Sequence, residues 1–239
     1  MSRREWNRTA ENFKDSVCDI AAEETNDQLR RFVSAAHPSP DKSVLVDLGC
    51  GIGTFVQKFG DRFRQVHAAD FATDAIRQAE AAYRGTTPVE WRVADLNDCP
   101  KLFGTNRADL TVCLNVITSP SAARRKSLWD TVRIITRPGG CALIVLPSIE
   151  SCHMVAEREN RGRKRAKAAS KRGGIAERAD IWQKHFSRGE IIEILSGLGF
   201  SVVRLAAVSY PWASEGLRKP RLAAQSPWDW ISLARRVVH

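Results

Sequence analysis

The chain has 239 residues, of which 43% are hydrophobic and 27% charged, a balance that excludes a disordered, collagen-like or membrane-embedded protein. Lys and Arg number 37 against 27 Asp and Glu, a net charge of +10, which favours anionic partners without naming one. The longest apolar run, Cys141 to Leu146, is far shorter than the roughly 20 residues a spanning helix needs, and no apolar stretch follows the basic N-terminal residues as in a secretory signal.

Residues 1–41 read as a helical leader. Phe13, Val17, Ile20 and Ala21 recur at helical spacing, as do Leu29, Phe32 and Val33, before His37-Pro38-Ser39-Pro40 breaks the pattern. From residue 42 onward short β-rich runs alternate with helical stretches, the mark of a parallel sheet flanked by helices. Strands are predicted at Val44–Val46, Gln65–Ala69, Val89–Val93, Leu110–Leu114 and Cys141–Leu146. Helices are predicted over Thr73–Tyr83 and Ala122–Thr136, the second ended by Pro138-Gly139-Gly140 as a turn. Residues 42–149 thus form one half of a single domain. Residues 150–180 interrupt the alternation as an insertion, and from Glu157 to Arg178 nine Lys or Arg stand against three Glu. In residues 181–239 the alternation resumes, with Ser187 as N-cap, Ile191, Ile192, Ile194 and Leu195 as an apolar face, Gly199 as a stop, then strands at Phe200–Leu205 and Trp230–Ala234. Six cysteines, at 18, 50, 99, 113, 141 and 152, have no paired spacing and read as reduced, buried thiols of a cytoplasmic protein.

The segment VLVDLGCGIGTF, residues 44–55, carries the most chemistry. A buried strand ends on an acid, and Gly49, Gly51 and Gly53 then open a helix, so the backbone turns tightly and admits a ligand where a side chain would collide. A nucleotide-type ligand is implied. Thr54 stands where the dinucleotide fingerprint wants its third small residue, and no Gly-Lys-Ser/Thr follows, which argues against NAD and against a P-loop.

D-x-G-x-G-x-G at the end of the first strand resembles motif I of the class I S-adenosylmethionine-dependent methyltransferases, with Asp47, Gly49, Gly51 and Gly53 matching residue for residue. The resemblance covers residues 42–205. It implies an α/β, Rossmann-like, seven-stranded and mostly parallel sheet with helices on both faces, and S-adenosylmethionine as cofactor. It also implies that Asp70, at the end of the second strand, holds the ribose hydroxyls through an acceptor-only carboxylate. Asp95, after the third strand, would accept from the adenine amino group, with Asp98 able to share that task. Cys50, Phe71, Leu96 and Asn115 complete the implied cofactor contacts.

Methyl transfer from a sulfonium chiefly requires alignment, so a base is optional; a hydroxyl acceptor gains from one, most often His. His185 is the best-placed candidate for a catalytic base and His153 the second, against the plainer reading that each anchors a loop. Trp6 and Phe13, or Trp182, Tyr210 and Trp212, offer aromatic walls for an acceptor or, equally, core packing. The basic insertion admits a solvated segment, a lid whose arginines suit an anionic small-molecule acceptor, or a nucleic-acid contact. No aromatics interleave with its charges as stacking platforms would, which favours the lid. The expected activity is O- or N-methylation of a small molecule. The alternatives are an RNA or protein methyltransferase docking through residues 157–178 and a non-catalytic cofactor-binding module.

Overall fold

The computed structural model describes residues 19–158, 173–178, 181–220 and 225–238. In chain order come α1 (Ile20–Glu23), α2 (Gln28–Ala35), β1 (Val44–Leu48), α3 (Thr54–Phe59), β2 (Gln65–Asp70), α4 (Thr73–Ala82) and β3 (Val89–Val93). There follow α5 (Cys99–Phe103), β4 (Ala108–Leu114), α6 (Ala122–Ile135), β5 (Thr136–Pro147), α7 (Ile149–Arg158), β6 (Ile175–Arg178) and β7 (Ile181–Lys184). The chain closes with α8 (Arg188–Gly197), β8 (Phe200–Ser209) and β9 (Trp228–Arg236).

Seven strands form one sheet in the order β3-β2-β1-β4-β5-β9-β8. β1 to β5 run parallel, and β9 runs against both of its neighbours. β1 is buried at all five positions, as a strand covered on both faces must be. Its alternate side chains feed two cores: Leu45 packs with Phe32, Val33, Val56 and Leu143 on one face, and Val46 with Leu128, Val132, Ile144 and Ile191 on the other. Chain order reverses between β1 and β4, so a crevice opens at their carboxyl ends, where ligands of open α/β sheets bind.

The predicted face of α2 is the buried one, and of the predicted α8 face Ile191 and Leu195 are buried while Ile192 and Ile194 are half-buried. Ser187 caps α8 by accepting from the Glu190 N–H, and Gly199 follows with φ +77°. One expectation is corrected. Pro138-Gly139-Gly140 does not end a helix before the fifth strand, because β5 already begins at Thr136. The strand crosses this stretch with a register shift against Ala108 and Leu110, and a Cβ at Gly140 would lie 2.8 Å from the Ala108 carbonyl oxygen. The stretch read as an insertion from residue 150 begins as a helix, α7, which is tied to β9 where the Ser151 hydroxyl accepts from the Trp228 N–H at 2.9 Å. Its far end is also ordered: β6 and β7 form an antiparallel hairpin that the sequence reading did not place. The leader residues Trp6, Phe13, Val17 and Cys18 and most of the basic stretch 157–178 lie outside the described residues. No helix among the described residues is long and apolar enough to cross a membrane, and none of their His, Cys, Asp or Glu side chains form a metal-holding group.

Candidate functional site

The glycine turn joins β1 to α3 at the mouth of the crevice. Gly49, Gly51 and Gly53 all have positive φ, at 76°, 53° and 80°, a region that side chains other than glycine enter only with strain. The Gly49 and Cys50 N–H groups both donate to the Ala69 carbonyl, at 2.8 and 3.1 Å, which fixes the turn against the end of β2. Two of the glycines make room for neighbouring protein. A Cβ at Gly49 would lie 2.4 Å from Val116 Cγ2, and one at Gly53 would lie 2.9 Å from Ala79 Cβ. Gly49 and Gly53 therefore let Val116, just after β4, and α4 approach the turn. Cys50 packs in the core, where burial pushes its thiol pKa well up.

Asp47, 2% exposed, ends the buried strand. One carboxylate oxygen, Oδ2, is buried and has no hydrogen-bond partner among the described residues. Burial first, then the nearby Asp70 and Asp19, push its pKa up to about 8, because each disfavours the charged form. Asp70 accepts from the Gly51 N–H at 3.1 Å and from the Ala72 N–H at 2.9 Å, so its carboxylate is fixed with acceptor capacity to spare. Burial raises its pKa, and those backbone donors pull it back. Asp95 is exposed and caps a short 3₁₀ turn by accepting from the Asn97 N–H at 3.0 Å, and Leu96 beside it is buried. Phe71 follows Asp70 and is half-buried.

These residues fit a cationic nucleoside. The crevice offers an unpartnered buried carboxylate, a second carboxylate at the end of the neighbouring strand, and no ion pair neutralises Asp47 or Asp70 among the described residues. A third acid escaped the sequence reading. Asp19, ahead of α1, accepts the Thr54 hydroxyl at 2.5 Å, directly after Gly53.

Across the crevice, Asn115 leaves β4 in the left-handed region at φ 55°. Its side chain turns away from the glycine turn toward β9, donating from Nδ2 to Asp229 at 2.7 Å, while its Oδ1 is buried without a partner. Asp229 is 4% exposed and was not singled out in the sequence, since only sheet pairing brings it beside Asn115. His185 is buried in a short stretch laid along the end of β5, with its N–H on the Gly174 carbonyl and the next N–H, of Phe186, on Pro147, both at 2.8 Å. That is the position of an anchored loop bordering the same end of the sheet. His153 lies on α7. Tyr210 is buried with its hydroxyl on Glu215 at 2.7 Å, and Trp182 is exposed. Trp212 lines an open cleft of about 490 Å³ with Pro211, Leu217, Arg218 and Lys219, beyond the paired ends of β8 and β9.

A crevice of this chemistry at the switch point of this sheet order defines a class I methyltransferase fold. Residues 45–140 match the family described as methyltransferase domain. Among solved structures, an S-adenosylmethionine-dependent methyltransferase from Methanosarcina mazei is 18% identical, covering 83% of this chain and 94% of that one, with a TM-score of 0.63. The 1,6-didemethyltoxoflavin-N1-methyltransferase of Burkholderia thailandensis, bound to 1,6-didemethyltoxoflavin and S-adenosylhomocysteine, is 16% identical over 99% of this chain and 87% of its own, with a TM-score of 0.65. The N-methyltransferase NodS of Bradyrhizobium japonicum, in complex with S-adenosylhomocysteine, is 15% identical over 98% and 97%, with a TM-score of 0.63. No curated protein matches by sequence. Residues 45–140 thus match a methyltransferase domain, and the solved methyltransferases share the fold of this chain.

Proposed function

We propose that this enzyme methylates a nitrogen or oxygen of a small, largely apolar acceptor that carries a negative charge. The observation that carries the cofactor half is the glycine turn backed by the unpartnered Asp47 carboxylate, with Asp70 fixed beside it. In this reading Asp70 takes the ribose hydroxyls, Asp95 and Leu96 border the base with Phe71, and Asp47 faces the positive charge of the methionine portion. When bound, the cofactor would supply an electrophilic methyl on a sulfonium, open to the lone pair of an acceptor nitrogen or oxygen. The protein's share is alignment in a site that excludes water.

The acceptor half is supported by the cleft along Trp212, whose apolar wall is flanked by Arg218 and Lys219, and by the Asn115–Asp229 pair at the crevice. Asn115 Oδ1 would accept from an N–H or O–H of the acceptor, and Asp229 would hold Asn115 in that orientation or take the proton. His185, anchored at the end of β5, would border the acceptor and position that loop. Two of the proteins that share this fold are N-methyltransferases by description, one of them bound to 1,6-didemethyltoxoflavin, which is compatible with a small-molecule acceptor.

Calorimetry with S-adenosylmethionine and S-adenosylhomocysteine tests the cofactor half. Wild type should bind both, and Asp70→Ala should weaken both by about tenfold or more, the loss of charge-assisted hydrogen bonds; equal affinity in the variant would remove Asp70 from the ribose site. Incubation with methyl-labelled cofactor and cell extract should place the label in the low-mass fraction. Label confined to RNA or protein would overturn the small-molecule assignment.

A further inference from the structure

The segment ahead of β1 reaches the glycine turn through one side chain. Asp19 Oδ1 caps α1 by accepting from the Ala21 N–H at 3.1 Å, and Asp19 Oδ2 accepts the Thr54 hydroxyl at 2.5 Å. Lys58, one turn further along α3, ties the same segment down by donating to the Ala21 carbonyl at 2.5 Å. Its ammonium is thereby spent on a backbone oxygen and not on a carboxylate. Asp19 is thus held against the first residue of the helix that the turn opens, and it lies outside the matched stretch 45–140.

Asp19, Asp47 and Asp70 therefore surround residues 49–54 on three sides, from the leader, β1 and β2. None of the three takes part in an ion pair among the described residues. Asp47 Oδ2, buried and unpartnered, marks where a cation is wanted. The methylated cofactor carries one more positive charge, on sulfur, than the demethylated product, and otherwise the two are nearly the same shape. Uncompensated negative charge at the turn acts on that difference alone.

We infer that Asp19 is a specificity-determining residue of the cofactor site, completing with Asp47 and Asp70 an anionic collar that holds the sulfonium cofactor in preference to its neutral thioether product. The inference rests on the reading of this crevice as the cofactor site. Its consequence is release of product: once the methyl leaves, the collar no longer has a charge on sulfur to attract.

The test is the ratio of the dissociation constants for S-adenosylhomocysteine and S-adenosylmethionine, measured by calorimetry on the full chain. Asp19→Asn keeps both local contacts, capping through Oδ1 and meeting the Thr54 hydroxyl through Nδ2, and removes only the charge. It should weaken S-adenosylmethionine by about fivefold and S-adenosylhomocysteine by less than about twofold, the size of a single charge acting across several ångströms of partly screened protein. Asp19→Glu, which keeps the charge, should keep the wild-type ratio. Asp19→Ser, a neutral cap, gives the same reading if the asparagine variant does not fold. Equal weakening of both compounds, or no change in either, would reduce Asp19 to a structural cap and overturn the inference. Failure of the wild type to bind either compound would instead sink the cofactor site itself.

Discussion

Asp47 is a carboxyl that folding has made hard to ionise, and this sets a pH signature. Its folded pKa of about 8 stands well above the ordinary aspartate value of 3.8, with Asp70 and Asp19 the acids that face it. A raised carboxyl pKa contributes stability that is fully present below about pH 4 and is lost as pH rises through about 8. The free enzyme should therefore lose stability across that window, and Asp47→Asn should flatten the loss, raising the melting temperature at pH 8 by about 2–4 °C for each kcal/mol recovered. The same variant should bind S-adenosylmethionine more weakly, and wild-type binding near pH 7 should release a proton, read as a buffer-dependent heat in calorimetry. A melting curve for Asp47→Asn that tracks wild type from pH 5 to 8 would contradict this. At this scale Asp47, the glycines and Asp70 were legible in the sequence, because a strand end, a tight turn and the next strand end are local patterns. Asp19 and Asp229 were not. Asp19 meets Thr54 across 35 residues and Asp229 meets Asn115 across 114, and no spacing rule connects such pairs.

Among the elements, those with a clean hydrophobic period came through as predicted: α2 with Leu29, Phe32 and Val33, α8 with Ile191 and Leu195, and the buried middle of β5. What failed was punctuation. Pro138-Gly139-Gly140 reads as a turn, yet the approach of β4 bends it into an irregular strand, and the β6–β7 hairpin hides beside a charge-rich stretch with little apolar pattern. That hairpin is held by one buried cation. The Lys184 ammonium, 4% exposed, donates to Glu190 and to the Gly173 carbonyl, both at 2.7 Å, and sits 4.9 Å from the Phe186 ring centre. Glu190 is 37% exposed, so water can take over its charge when the lysine is lost. Lys184→Met should then cost about 1–2 kcal/mol rather than the larger penalty of a fully buried pair. It should speed amide exchange in residues 175–184 while leaving S-adenosylmethionine affinity unchanged, since the glycine turn belongs to other elements. Protection of those amides equal to wild type would show that the hairpin is held by something else.

For the molecule as a whole, ligand binding and stability are one quantity. S-adenosylmethionine at a hundred times its dissociation constant adds about 2.7 kcal/mol, which for a chain of this size is a rise of roughly 5–11 °C in melting temperature. A scan at saturating cofactor showing no rise would mean that the folded state does not bind it. The sheet order carries a further consequence. β9 follows β8 in sequence and yet lies between β5 and β8, and it brings Asp229 to the crevice. During synthesis on the ribosome β5 is left with an open flank until Trp228 to Arg236 emerge, so the nascent chain waits, unzipped along one side, for that strand. Nonsense lesions ahead of residue 228 should accordingly yield aggregating fragments with neither half of the active centre assembled, not a smaller enzyme.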